Sequence, residues 1–289
     1  EYKKIKNISL RKKLNLNTIS NFKSDLSIIS HKYKRNKQLI NIKYKNNFYN
    51  FSTHLIGKIQ INNILMAMIA AEKSNLDFKK IVNVVNKIKP VSGRLEKIGN
   101  IKNNSYVILD YAHTPEALKA CVQSLRDQFK NRKISIVFGC GGNRDQYKRP
   151  KMGKIVNDYC HKIYLTDDNP RRENPKKIRS HIKKRIDKSK LYEVPSREKA
   201  IKEAIKNLQA GEILIVAGKG HENIQDYGNI KKFFSDKDCI LKYIKKKNKN
   251  LSKNLKLNIL KEQSKQSCFS LKTKIRKASI NSKEVKKND

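Results

Sequence analysis

The sequence predicts an α/β protein whose main part is a mostly parallel sheet covered by helices on both faces, preceded by a smaller α/β segment. Three observations carry this. After Pro90, short and wholly apolar runs alternate with longer amphipathic ones, as expected when strands are buried on both faces and helices connect them. A polar or glycine-rich cluster follows each of the principal apolar runs, where parallel sheets bind their ligands. Before Pro90 the pattern is instead a strand pair followed by helical spacing.

Taken in order, residues 36–53 hold two alternating runs, Leu39-Ile40-Asn41-Ile42 and Phe48-Tyr49-Asn50-Phe51, split by a Lys-Asn-Asn turn suited to a hairpin. From Ile61 to Lys73, apolar residues at Ile61, Ile64, Leu65, Met68 and Ile69 follow helical spacing; Met66 and Met68 read as core. A second helix runs from about Phe78 to Ile88, before Pro90. Strands are then expected at Tyr106–Asp110, Ile134–Gly139, Lys162–Thr166 and Glu212–Gly218, with a short one at Tyr192–Val194. Helices are expected at Thr114–Phe129, Lys151–Tyr159, Pro175–Ile186 and Ser196–Leu208. Beyond about Lys245 the chain turns Lys/Asn-rich, and residues 246–274 read as a linker.

The 289 residues suffice for one large or two modest domains. A formal charge of +42, from 67 Lys+Arg against 25 Asp+Glu, raises the possibility of a basic nucleic-acid-binding protein. The lysines are instead spread over the whole length among Asn and Ile, with no recognition module, so compositional bias explains the charge better and no specific nucleic acid is expected. The five cysteines are widely spaced and form no CxxC pair or Cys/His cluster, in keeping with a reducing, cytoplasmic setting. The most apolar segment, Ile61 to Ala71, falls well short of the roughly 20 residues that cross a bilayer, so no membrane is expected. The chain opens on Glu1 with no apolar signal segment, and reads as a fragment.

Four clusters hold chemistry. In Asp110-Tyr111-Ala112-His113-Thr114-Pro115, Thr114 suits an N-cap and Pro115 a first helical position. Asp110 there could bind a ribose hydroxyl or a metal, and His113 could stack on a ligand, or both could serve ordinary turn chemistry. The run Gly139-Cys140-Gly141-Gly142-Asn143-Arg144-Asp145 lets the backbone approach an anion, while Arg144 offers a planar fork for a carboxylate. In Asp167-Asp168-Asn169-Pro170-Arg171-Arg172-Glu173-Asn174-Pro175, two prolines stiffen a loop of acid, amide and guanidinium groups. Such a loop could grip a zwitterion, with Arg171 on its carboxylate and an acidic partner on its ammonium, or be a solvated turn. Finally, Ala217-Gly218-Lys219-Gly220-His221-Glu222 lacks the upstream Gly and the following Ser/Thr of a Walker A loop, and is not HExxH. The absence of GxGxxG after the first strand of the parallel sheet argues against a nicotinamide-dependent protein.

In order, SGRLE (92–96), DYAHTP (110–115), FGCGGNRD (138–145), KRPKMG (148–153), TDDNPR (166–171) and AGKGHE (217–222) closely resemble the carboxyl-terminal domain of the Mur ligase family. The DNPR tetrapeptide resembles the diaminopimelate-adding branch. The resemblance spans about residues 36–240 and implies a Rossmann-like fold for residues 91–245, with residues 1–90 as the carboxyl-terminal part of a central ATPase domain. The family's phosphate loop and modified lysine have no counterpart here and would lie upstream, so the chain alone is expected not to hydrolyse ATP.

The implied activity is ATP-dependent addition of meso-diaminopimelate to UDP-N-acetylmuramoyl-L-alanyl-D-glutamate in peptidoglycan synthesis, with Mg2+ held outside this chain. The resemblance assigns Asn63, Arg94, Asp110 and His113 to the nucleotide. It assigns Arg144, Asp168, Asn169, Pro170, Arg171, Gly218 and Glu222 to the amino acid, with Glu222 accepting the distal ammonium. Diaminopimelate carries a distal carboxylate that lysine lacks, so a buried Arg171 facing lysine would be left unpaired, at a cost sufficient to reject it. Sibling readings are a lysine-adding Mur ligase or a folylpolyglutamate synthetase-like ligase. Ile59, Gln60, Ser92, Leu95 and Asn143 depart from the family pattern; none lies in DNPR or GKGHE. Residues 275–289 resemble the opening of a Mur ligase amino-terminal domain, with Asn281-Ser282-Lys283 in place of its DSR-like triplet, which implies fusion to a second Mur ligase.

Overall fold

Among the described residues, ten of twelve strands belong to two sheets, one of four strands in the first of two compact units and one of six strands mostly in the second. The computed structural model describes residues 2–21, 24–34 and 37–266, with side chains to residue 255. The first unit comprises residues 1–96 and 110–131, the second residues 97–109 and 132–289.

In the first unit, helix α1 (Tyr2–Arg11) precedes a four-stranded sheet of β1 (Ile19–Ser20), β2 (Leu26–Lys34), β3 (Lys37–Tyr44) and β4 (Asn47–Thr53), in that spatial order. The β3–β4 hairpin closes on Lys45-Asn46, both in the left-handed region (φ 46 and 64), as a tight two-residue turn requires. Its apolar face, Leu26, Ile40, Ile42 and Tyr44, packs on Ile61, Ile64, Leu65 and Met68 of α2 (Lys58–Lys73) and on Phe78 and Val82 of α3 (Phe78–Val84). Asp77 caps α3 by accepting from the Lys80 amide at 2.8 Å. Met68 is core as expected, but Met66 is exposed, because it lies off the Ile61-Ile64-Leu65-Met68 stripe. Helix α4 (Pro115–Gln128) completes the unit, with Thr114 as N-cap and Pro115 at its first position.

The second unit is built on a six-stranded sheet in the order β5 (Glu96–Lys97), β6 (Tyr106–Asp110), β10 (Ile213–Ala217), β7 (Ile134–Phe138), β8 (Lys162–Leu165) and β9 (Leu191–Glu193). Strands β10, β7, β8 and β9 are mutually parallel. Every residue of β7 and β10 is buried, which is why β10 is an unbroken apolar run and β7 is broken only by the small Ser135. Helices α5 (Lys148–Tyr159), α6 (Pro175–Lys183) and α7 (Arg197–Asn207) connect them, and a small antiparallel hairpin, β11 (Ile224–Asp226) with β12 (Lys231–Phe233), follows β10.

One expectation is corrected. Of the stretch read as a linker, residues 246–266 belong to α8 (Asp236–Gln266), and residues 267–274 lie outside the described residues. Cys239, Ile240 and Ile244 of α8 belong to the core, and Tyr243 and Leu251 pack against it. Lys247 donates to the carbonyls of Ile205, Lys206 and Leu208 at 2.7–3.0 Å, satisfying the carboxyl end of α7 as a cation there does. Lysine is a good helix former, and between Lys245 and Lys256 only Leu251 and Leu255 are apolar, so this part of the helix passes for a polar tract. Residues 275–289, read as the opening of a second domain, lie outside the described residues.

Candidate amino-acid site and nucleotide-facing cluster

Strands β10, β7 and β8 are neighbours, so the loops after them meet at one end of the sheet. There the glycines are a packing requirement. A Cβ on Gly142 would lie 1.8 Å from the Pro170 carbonyl oxygen, and one on Gly218 (φ +111) 2.6 Å from Asp168 Oδ2. The Gly142 amide donates to Asn169 O at 2.9 Å, stitching the first two loops together. Arg171 is half-buried, its backbone in the left-handed region (φ 54) and held by donation from its amide to Asp226 O at 2.9 Å. A non-glycine residue kept there is a strained feature typical of functional loops. Its Nη1 donates to Gly142 O at 2.9 Å and its Nε lies 4.0 Å from Asp226 Oδ2.

The polar side chains divide by whether the fold already uses them. Asn169 Oδ1 accepts from Lys219 Nζ (3.1 Å) and the Asp226 amide (3.0 Å), while its Nδ2 donates to Glu222 Oε2 (3.0 Å). Glu222 Oε2 also accepts from Lys219 Nζ at 3.2 Å. Asn169 and this oxygen of Glu222 are thus fastened by a fully buried lysine. By contrast, Asp168 is buried yet accepts no hydrogen bond among the described residues, its ion pair there being Arg197 Nη1 at 3.9 Å. Arg144 is exposed beside the glycine turn, and Pro170 is buried beneath it.

Around these loops stands a frame of buried arginines that the sequence reading did not single out. Arg149 clamps Glu173 bidentately (2.6 and 2.7 Å) and donates to Gly141 O at 3.3 Å. This fork holds the Glu173 carboxyl below its ordinary value, against a smaller opposing effect of burial. Arg179 pairs with Asp167 and donates to Glu193 at 2.9 Å. Burial nevertheless pushes the Asp167 carboxyl up, outweighing the guanidinium beside it. Tyr227 donates to Asp167 Oδ2 at 3.3 Å and is itself pushed up to about 12 by burial. A signal for two of these arginines was present. Arg149 and Arg197 fall in the first turns of α5 and α7, where the helix dipole disfavours a cation.

In the first unit, Asn63, Arg94, Asp110 and His113 come together on one patch. Asn63 Nδ2 donates to Gln60 Oε1 at 3.3 Å, and Gln60 Nε2 reaches Arg94 O at 3.5 Å. Gln60, one of the departures from the family pattern, is therefore the bridge between them. Arg94 lies over the Tyr111 ring at 4.5 Å, and His113 packs edge-on to Tyr111 at 4.7 Å. Asp110 is committed inward: its oxygens accept from the Leu95 and Ala112 amides, both at 2.8 Å. Burial pushes its carboxyl above the ordinary value despite those two bonds.

Residues 93–220 match the family described as Mur ligase, glutamate ligase domain. The chain belongs to the Mur ligase family. It is 42% identical over 224 residues to the UDP-N-acetylmuramoyl-L-alanyl-D-glutamate--2,6-diaminopimelate ligase of Rickettsia rickettsii, covering 77% of this chain and 46% of that protein. A solved structure of a ligase of the same name aligns with TM-score 0.60 at 32% identity, covering 83% of this chain and 50% of that one. Mycobacterium tuberculosis folylpolyglutamate synthase shares the fold, with TM-score 0.61 at 17% identity over 74% of this chain and 49% of that one. The chain spans less than half the length of the curated relatives it matches. Among the described residues, no helix is long and apolar enough to cross a membrane, and no three His, Cys, Asp or Glu side chains gather as a metal site would require.

Proposed function

We propose that this Mur ligase domain binds meso-diaminopimelate for an ATP-dependent ligase that joins it to UDP-N-acetylmuramoyl-L-alanyl-D-glutamate in peptidoglycan synthesis. The observation that carries the reading is the convergence of Arg144, Arg171, Asp168 and Glu222 on one glycine-lined corner of the sheet, in a chain about 40% identical to diaminopimelate-adding ligases. A doubly zwitterionic amino acid needs cations and carboxylates held apart at fixed spacing. Here Arg171 is braced through Nη1 and Nε, which leaves Nη2 for a carboxylate, and Arg144 supplies a second guanidinium at the rim. Asp168, with no donor of its own, takes an ammonium. Asn169 and Glu222, tied to Lys219, shape the wall.

ATP supplies the phosphoryl group that activates the acceptor carboxylate. Toward it the chain offers Arg94, braced on Tyr111, and His113, with Asn63 at the patch edge, whereas Asp110 holds the turn that presents them. Catalysis in this part of the enzyme is then positioning and charge placement rather than nucleophilic chemistry.

Calorimetric titration of the 289-residue chain with meso-diaminopimelate and with L-lysine tests the reading. Diaminopimelate should bind about 10–100-fold more tightly, the equivalent of one charged hydrogen bond, and Arg171→Ala should remove most of that preference. Equal affinity of the unaltered chain for both would instead favour the lysine-adding reading.

A further inference from the structure

Beneath the amino-acid corner lies a buried ion pair that the proposed binding groups do not use. Arg197, at the start of α7, is fully buried. Its Nε and Nη2 donate to Asp236 Oδ1 and Oδ2 at 2.7 and 2.6 Å, and Nη2 also donates to Ala217 O at 2.9 Å. A single guanidinium thereby pins the end of β10 to the starts of α7 and α8. Its third nitrogen, Nη1, is buried with no hydrogen-bond partner among the described residues and lies 3.9 Å from Asp168 Oδ2.

Two complementary groups thus face each other, each without a hydrogen bond. Buried polar atoms are rarely left so, because each forfeits its hydration without compensation. The separation is too long for a hydrogen bond and short enough for strong Coulombic attraction away from water. Glycine at 218 leaves room for Asp168, since a Cβ there would come within 2.6 Å of its Oδ2. The carboxylate of Asp168 keeps a little solvent access, with 11% of its side chain exposed, whereas Arg197 has none.

We propose that Arg197 is a positioning residue for the amino-acid site: braced by Asp236, it anchors Asp168 from below so that the carboxylate faces an incoming ammonium from above. The inference rests on the proposed binding of diaminopimelate. With Arg197 in place, Asp168 lies between a fixed cation and the ligand's cation. Without it, a lone buried carboxylate gains by rotating out toward water, and the ammonium loses its partner.

The test is a double-mutant cycle on the affinity of the full chain for meso-diaminopimelate, with thermal midpoints recorded in parallel. Removing Arg197 alone would strand Asp236, so the pair is replaced together as Arg197→Met with Asp236→Leu, a type of exchange that is often neutral for stability. The pair-replaced chain should stay folded and bind about tenfold more weakly, a change of about 1.4 kcal/mol. In an Asp168→Asn background, the same replacement should cause no further loss.

A second, equal loss in that background would mean that Arg197 does not act through Asp168 and would overturn the proposal. Should the pair-replaced chain fail to fold, Arg197→Lys enters the same cycle; it keeps the charge but cannot fork Asp236, and its loss must likewise vanish with Asp168→Asn. Absence of saturable binding by the unaltered chain would defeat the diaminopimelate reading, and this inference with it. Saturable binding with an additive cycle would defeat the Arg197 role alone.

Discussion

Around Gly142 in the second unit, polar side chains are fastened from beneath by buried cations, whereas around Tyr111 in the first unit they lie on the surface with one or two contacts each. Arg149, Arg179 and Lys219 each hold an acid or amide of the strand-end loops, and Arg197 holds Asp236 at the start of α8. Arg94 and His113 both contact the Tyr111 ring, and Asp110 is held by two backbone amides. The contrast separates two ways of building a site. One orders its groups before the ligand arrives, at the cost of placing charges in the interior. The other presents exposed side chains on a fixed turn.

The contrast is most exposed to disproof at the buried arginines. Arg149→Ala should destabilise the chain by about 3–5 kcal/mol, because Glu173 would be left without its counter-charge; a loss below 1 kcal/mol in urea denaturation would show that the frame is dispensable. Next in size, Asp110→Asn should cost about 1–3 kcal/mol, since an amide cannot accept from both the Leu95 and Ala112 amides.

These two positions should also respond oppositely to pH. Glu173 has its carboxyl held below 4.5, so the stability it adds is present above that value and fades as pH falls through the lowered one. Asp110 has its carboxyl raised above 3.8, so its contribution is fullest below 3.8 and declines as pH rises through the raised value. The deficit of Glu173→Gln should therefore grow between pH 3 and 6, and that of Asp110→Asn should shrink; chemical denaturation across that range would reveal matching trends if the assignment of causes is wrong. Smallest of all, His113→Ala should leave stability within about 0.5 kcal/mol. A larger loss would mean the Tyr111 patch is structural.

Much of the fold was legible because burial on both faces writes itself as an unbroken apolar run. Tyr106–Asp110 was placed to the residue, and Ile134–Phe138, Lys162–Leu165 and Ile213–Ala217 within one or two at each end. The loops following them were legible too, through glycine and proline. What the sequence hid were cations inside the protein. Among 67 basic residues, Arg149, Arg179, Arg197 and Lys219 look like surface charge, and only packing distinguishes them. The same abundance concealed α8, whose lysines read as a solvated tract although Lys247 caps a neighbouring helix. Asp110 was read as facing a ligand or shaping a turn, and in the structure its oxygens accept from the Leu95 and Ala112 amides.

The position of Asp236 bears on how this domain is to be produced. An expression boundary drawn at residue 220, where the family match ends, would discard Asp226, Tyr227 and the anion that neutralises Arg197. Such a truncated product would retain every strand of the six-stranded sheet and still carry an unbalanced charge at the floor of its binding corner.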